Sequence, residues 1–247
     1  MSLTVPFAGG RITTVVQPLV RIADGAVVGL EALARLDTPD GTVLGPAAFL
    51  DDALAAGLGL DIACAQARTL ACAAPAPLFG ALNLSAADLA RPEAVARVAG
   101  AAKAAGLEPS RLRIELTESG TADGAALAAA AAGLRAAGVM LVLDDYGRGW
   151  NGAARLRDLE PGGLKLDRSL TRGLDASVRA RTIVSGIIAL ADALCVDLVA
   201  EGVETRGEAD ACAALGAAVG QGFHWARPVR SSAAWTPLVM VTSAGFG

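Results

Sequence analysis

Eight polar side chains stand out by position. Glu31, Asn83, Glu115, Asp144, Asp145, Lys165, Glu201 and Gln221 each lie at or just past the C-terminal end of a β-prone run. One acid at a strand end is ordinary loop chemistry, but these polar residues recur at the ends of seven strands. Where parallel strands close into a barrel, those ends converge on one mouth. Carboxylates gathered there repel one another and hold protons unless cations neutralise them. An oxygen donor set, without Cys and without a suitable His, favours hard divalent ions, Mg²⁺ or Mn²⁺, over zinc. The pair Asp144-Asp145, directly after Met140-Leu141-Val142-Leu143, suits a two-ion site in which one carboxylate bridges and its neighbour completes the second ion; it also reads as an Asp-rich turn. Two cations among acids serve phosphoryl chemistry, and Lys165 could hold the attacking water or the developing charge. The single histidine, His224, reads as a packed or rim residue.

The elements that must position these residues follow a regular alternation. Thr13 to Ile22 and Val27 to Leu36 are β-prone and flank Asp24-Gly25, a hairpin signal that makes the first two strands antiparallel. Pro46 to Leu58 and Asp61 to Ala74 read as helices, stopped by Pro75 and Pro77 before a strand at Leu78 to Leu84. Helices at Pro92 to Ala105, Ala125 to Ala137, Val178 to Ala193 and Gly207 to Leu215 then interleave with strands. Those strands are Leu112 to Leu116, Val139 to Leu143, Gly163 to Leu166, Asp197 to Ala200 and Ala218 to Phe223. Strands alternating with helices pair in parallel through crossovers. The expected fold is α/β, a modified TIM (β/α)8 barrel with an antiparallel first strand.

Bulk composition narrows the class. At 247 residues with 53% hydrophobic content the chain can build one large core, so 1–247 reads as a single domain, or as a piece of a longer signalling protein. A formal net charge of -4 offers no cationic surface for a DNA or RNA polymer, though a small anionic ligand is allowed. Cys64, Cys72, Cys195 and Cys212 have no metal-ligand spacing and read as buried thiols in a reducing compartment. Arg and Asp interrupt each apolar run before membrane-spanning length, and the first ten residues lack a signal-peptide start, so a cytoplasmic location without membrane contact is expected.

Glu31-Ala32-Leu33, within Gly29-Leu30-Glu31-Ala32-Leu33-Ala34-Arg35, resembles the motif that names the EAL family. The resemblance continues in order through Gln17-Pro18-Leu19-Val20, Asn83-Leu84-Ser85, Glu115-Leu116-Thr117-Glu118-Ser119 and Asp144-Asp145-Tyr146-Gly147. Lys165-Leu166-Asp167, Ala200-Glu201-Gly202-Val203-Glu204-Thr205 and Gln221-Gly222-Phe223 complete it. It implies hydrolysis of cyclic di-GMP to linear pGpG with two Mg²⁺ or Mn²⁺ ions, a homodimer, and linkage to sensory or GGDEF-type domains in a full-length protein. Glu31, Asn83, Glu115 and Asp144 are implied as metal ligands, Asp145 serves the second ion, and Glu201 binds metal directly or through water, or acts as general base. Lys165 positions the catalytic water, Asp167, Glu204 and Gln221 support the site, and Glu118 anchors the loop carrying Asp144 and Asp145. Gln17 and Arg35 are implied substrate contacts; an arginine at that place also reads as a rim salt bridge.

The chain departs from the family over Asp144 to Ala153, which reads DDYGRGWNGA where relatives usually have DDFGTGYSSL. Arg148 replaces a small hydroxyl residue, and either folds back onto the acidic mouth to compete with metal or points into solvent. The altered loop supports a second reading, a catalytically silent cyclic-di-GMP receptor. A third keeps the metal argument and makes the chain an unrelated barrel metalloenzyme acting on another phosphoester.

Overall fold

The computed structural model describes residues 3–117, 122–148 and 152–230. Glu118 and the loop residues Trp150 and Asn151 lie outside them.

The Asp24-Gly25 turn forms as its residues dictate. Gly25 takes φ +69, and the Arg21 N–H bonds to Ala26 O at 2.8 Å. The turn joins β1 (Gly10–Arg21) to β2 (Val27–Asp37) in antiparallel register, Gln17 opposite Glu31. Then follow β3 (Phe79–Ser85), β4 (Leu112–Thr117), β5 (Met140–Tyr146), β6 (Gly163–Leu166), β7 (Asp197–Ala200) and β8 (Val219–Gly220). Neighbours from β2 to β8 pair in parallel, and β1 closes the ring by pairing antiparallel with both β2 and β8. This is the modified TIM barrel with an antiparallel first strand.

Strand alternation separates core from site. Leu30, Ala32, Leu82, Leu84, Ile114, Leu116, Leu141 and Leu143 are buried against the helices Gly59–Ala73, Ala94–Ala104 and Gly124–Ala136, each large side chain contributing about 1.5–3 kcal/mol. The alternate positions, including Glu31, Asn83 and Glu115, face inward. A second core packs β6 and β7 against the helices Val178–Ala193 and Arg206–Ala214 through Leu166, Ala200, Val184, Ile188 and Cys212.

Caps fix the chain where it leaves three of the strands. Ser85 caps Ala86–Leu89, Asp167 caps Arg168–Thr171, and Thr205 with Glu208 forms a capping box on Arg206–Ala214. The N-terminal end of the barrel is closed differently. There Arg113 lies 3.6 Å above the Phe79 ring and pairs with Asp197 at 3.0 Å.

Some expectations are corrected. Pro46 to Leu58 is not one helix but a 3-10 turn, Pro46–Ala48, followed by Leu50–Ala55, because Phe49 leaves the helical region at φ -152. The eighth strand is only two residues long, and three short strands, Val5–Phe7, Val43–Leu44 and Val229–Arg230, flank the barrel. All four cysteines are free, but only Cys64 and Cys212 are buried; Cys72 and Cys195 are exposed. Among the described residues no helix is long and apolar enough to cross a membrane.

Candidate active site

Lys165 anchors the site. It is the third residue of a four-residue strand whose every member is buried, and its own exposure is 0%. Its ammonium lies 2.7 Å from Glu115 Oε2, 3.2 Å from Glu31 Oε2 and 4.0 Å from Asp144 Oδ1, and it also contacts Glu201 Oε1. These four acids come from β2, β4, β5 and the end of β7, so closure of the barrel brings them together. Amides complete the floor. Asn83 Nδ2 donates to Glu31 Oε1 at 2.7 Å, and Gln221 Nε2 donates to Glu31 Oε2 at 2.6 Å and Gln17 Oε1 at 3.3 Å. Gln17 Nε2 in turn donates to Ala226 O at 3.0 Å, which ties the segment after β8 across the mouth.

Two consecutive aspartates in a regular strand would face opposite sides of the sheet. Here the β5–β6 register slips between Leu143 and Tyr146, and Asp145 adopts φ +52, its N–H held by Asp144 Oδ1 at 2.9 Å. Both side chains therefore face the same cleft. Asp144, Asp145 and Glu201 present oxygens that all lie within 4.8 Å of one another.

The cleft above this floor encloses about 430 Å³. Gln17, Glu31, Asn83, Asp144, Asp145, Asp167, Glu201, Glu204 and Gln221 line it, while Lys165 and Glu115 lie beneath. Arg35 is not among the lining residues. It stands four positions beyond Glu31 on the same strand face, half-buried, donating to Ala34 O at 2.7 Å. Arg148, Arg168 and Phe223 also line the cleft. The sequence reading assigned Arg168 and Phe223 no role; their signal is adjacency, one following Asp167 and the other Gln221-Gly222.

Two glycines allow these loops to come so close. Gly202 takes φ +64, and a side chain there would strike Arg168; one at Gly222 would strike the Val203 backbone. Thr171, fully buried, donates its hydroxyl to Glu201 O and fixes the start of the loop after β7.

The charges do not balance. Burial opposes ionisation of Lys165, but Glu115, Glu201, Glu31 and Asp144 outweigh it and hold the ammonium charged well above the usual lysine range. Burial also disfavours ionised Glu31, yet Lys165 and the Gln221 and Asn83 amides keep that carboxyl below its ordinary value. The remaining acids share what is left. Burial and the neighbouring Glu31 push Glu115 well up, and burial raises Asp144 despite Lys165. Glu201 is pushed up to about 8 by burial, with Asp144 and Glu31 outweighing part of the pull from Lys165. Asp145 rises to about 6 through burial and the Asp144 charge. Four carboxyls face one buried cation, and two of them, Asp144 and Glu201, come together with Asp145 in the cleft. Carboxylate and amide oxygens in this arrangement fit a hard divalent ion.

Comparison with known proteins identifies the family. The EAL domain family model matches residues 2–228. The chain belongs to the EAL family. Over 221 residues this EAL domain is 36% identical to the bifunctional diguanylate cyclase/cyclic di-GMP phosphodiesterase MucR of Pseudomonas aeruginosa, covering 86% of this chain and 32% of MucR. The domain thus spans about a third of the length of the curated relatives it matches first. A solved structure described as the PaMucR phosphodiesterase in complex with c-di-GMP superposes with a TM-score of 0.80 at 33% identity, covering 89% of this chain and 92% of that one. Klebsiella pneumoniae BlrP1, solved as a manganese/cy-diGMP complex, gives 0.79 at 28% identity, covering 91% of this chain and 57% of its own.

Proposed function

We propose that this EAL domain hydrolyses one phosphodiester bond of cyclic di-GMP, releasing linear pGpG, with two divalent ions, Mg²⁺ or Mn²⁺. The observation that carries the reading is the acid surplus around Lys165, assembled from the positions that match the family motifs and open to a cleft of about 430 Å³. The similarity to proteins named as cyclic di-GMP phosphodiesterases or solved with that dinucleotide supports the substrate.

In this reading Glu31, Asn83, Glu115 and Asp144 hold one ion, and Asp145 with Glu201 serves the other. Bound there, the ions supply neutralisation of the phosphodiester and a more acidic attacking water. Lys165, held charged at the floor, orients that water by hydrogen bonding and meets charge developing on the phosphoryl oxygens. Where Glu201 acts as general base instead of holding the second ion, it would take the proton as the water oxygen attacks phosphorus; the P–O bond to one ribose oxygen breaks, and that oxygen leaves with a proton from solvent. Gln221 and Asn83 orient Glu31, and Asp167 lies beside Asp145 at the cleft. Gln17 and Arg35 are proposed to meet the dinucleotide, and Glu118 to anchor the β5 loop. A homodimer and covalent linkage to sensory or cyclase domains belong to the same proposal.

Incubation of the chain with cyclic di-GMP and Mg²⁺, then Mn²⁺, followed by chromatographic separation, tests the proposal. The expected result is pGpG with either ion and none with a chelator. Tight binding without product in either metal would make the chain a receptor, and no binding at all would remove the substrate assignment.

A further inference from the structure

The loop after β5 carries a cation into the acid-rich cleft. Arg148 Nη1 lies 3.4 Å from Asp145 Oδ2, its side chain is 69% exposed, and it lines the cleft with Glu31, Asp144 and Glu201. Its backbone N–H bonds to Asp145 O at 3.1 Å, which keeps the guanidinium within reach of that carboxylate. Its charge also favours the ionised form of Asp167, so Arg148 faces two of the acids at this edge.

Asp145 is also one of the three residues whose oxygens converge as a cation site. A guanidinium and a divalent ion compete for the same lone pairs, and their charges repel. The ion pair is exposed and made through one contact, so it is weak and exchanges readily. Arg148 has a long stem and a planar fork suited to paired phosphate oxygens, and the dinucleotide brings two phosphates into the cleft.

Resting on the phosphodiesterase reading above, we propose that Arg148 is an ion-displaced substrate arm. It neutralises Asp145 before ions bind; when an ion takes Asp145, the guanidinium swings to a phosphate oxygen of the dinucleotide. One side chain then has two opposed effects, weakening metal binding and strengthening substrate binding. A residue that merely shaped the loop would move both in the same direction.

The test uses the full chain and its Arg148→Thr and Arg148→Lys variants. Mn²⁺ binding without nucleotide is followed by the paramagnetic resonance signal of the free ion, and KM for cyclic di-GMP is measured at saturating Mn²⁺. Arg148→Thr is expected to bind Mn²⁺ about three- to tenfold more tightly and to show a KM about three- to tenfold higher, with Arg148→Lys in between. The gain in Mn²⁺ affinity should vanish when Arg148→Thr is placed on Asp145→Asn. Unchanged or weaker Mn²⁺ binding in Arg148→Thr, or an unchanged KM, overturns the proposal. Should the parent chain fail to hydrolyse cyclic di-GMP, the phosphodiesterase reading falls. The Mn²⁺ titration still decides the competition, and equilibrium dialysis of the dinucleotide replaces KM.

Discussion

At the closed end of the barrel Arg113 meets one carboxylate, Asp197, at 3.0 Å and rests on the Phe79 ring; at the open end Lys165 contacts Glu31, Glu115 and Glu201, with Asp144 at 4.0 Å. Both are cations facing the interior of one barrel. Asp197 and the Phe79 face satisfy most of Arg113, and Glu115 adds a weaker pull from the barrel interior. Around Lys165 the acids outnumber the cation, so burial works against several of them at once. A site selected only for stability pairs its charges or replaces them with apolar side chains. An unpaid surplus facing a cleft marks a place that a ligand completes.

The largest expected effect comes from breaking the open end at its most connected acid. Glu31→Ala removes a carboxylate that faces Lys165, Asn83 and Gln221 together, and should lower cyclic-di-GMP turnover by about 10³-fold or more. Circular dichroism should show the fold retained, since the lost charge relieves the surplus. Turnover within tenfold of the parent would remove Glu31 from the site.

Removing the cation instead should reverse the sign on stability. Lys165→Met leaves Glu115, Glu31 and Glu201 without their shared partner, and should cost the metal-free protein about 3–5 kcal/mol at pH 8. At pH 5 more of these acids hold protons, so the cost in a denaturant titration should shrink. An equal cost at both values would mean that Lys165 acts through packing alone.

The surplus also sets a pH trend for the metal-free protein. Glu201 titrates at about 8 and Asp145 at about 6, with Glu115 and Asp144 also raised, whereas the unfolded chain releases these protons near 4 to 4.5. Between those limits the folded state binds more protons, so stability falls as pH rises. The melting temperature without metal should therefore drop from pH 6 to pH 9. Millimolar Mg²⁺ should raise it by several degrees at pH 9 and by less at pH 6. A flat profile without metal would contradict the acid surplus.

The contrast between the ends also explains what could be read from sequence. Side chains at strand ends follow from β/α alternation, so Glu31, Asn83, Glu115 and Lys165 were legible once eight strands were counted, and Asp24-Gly25 declared the antiparallel start. Three features depend on tertiary contacts instead. The bulge that turns both Asp144 and Asp145 to the cleft has no local signature beyond the pair itself. The eighth strand stops early because Trp225 covers Gly220 and the chain then crosses the mouth, a close approach that composition does not reveal. In the helix Gly59–Ala73 most positions are apolar and buried, so hydrophobic periodicity does not mark Cys72 as outward-facing.

The smallest effect belongs to the closed end, and it is the control that gives the comparison meaning. Arg113 is partly buried, and burial lowers its pKa against the pull of Asp197, whose side chain is 56% exposed. Arg113→Met keeps a long side chain over Phe79 while losing an ion pair to a half-solvated carboxylate and a cation–π contact. The two together are worth about 1 kcal/mol, or about 2–4 °C in melting temperature. Asp197 is left near water, so no buried charge is orphaned. Turnover should stay within about twofold, because Arg113 does not line the cleft and feels Glu115 less than Asp197. A loss of activity comparable to that of Glu31→Ala would show that the Arg113–Glu115 interaction couples the two ends strongly through the barrel interior, and the distinction between a paired structural charge and an unsaturated functional one would fail.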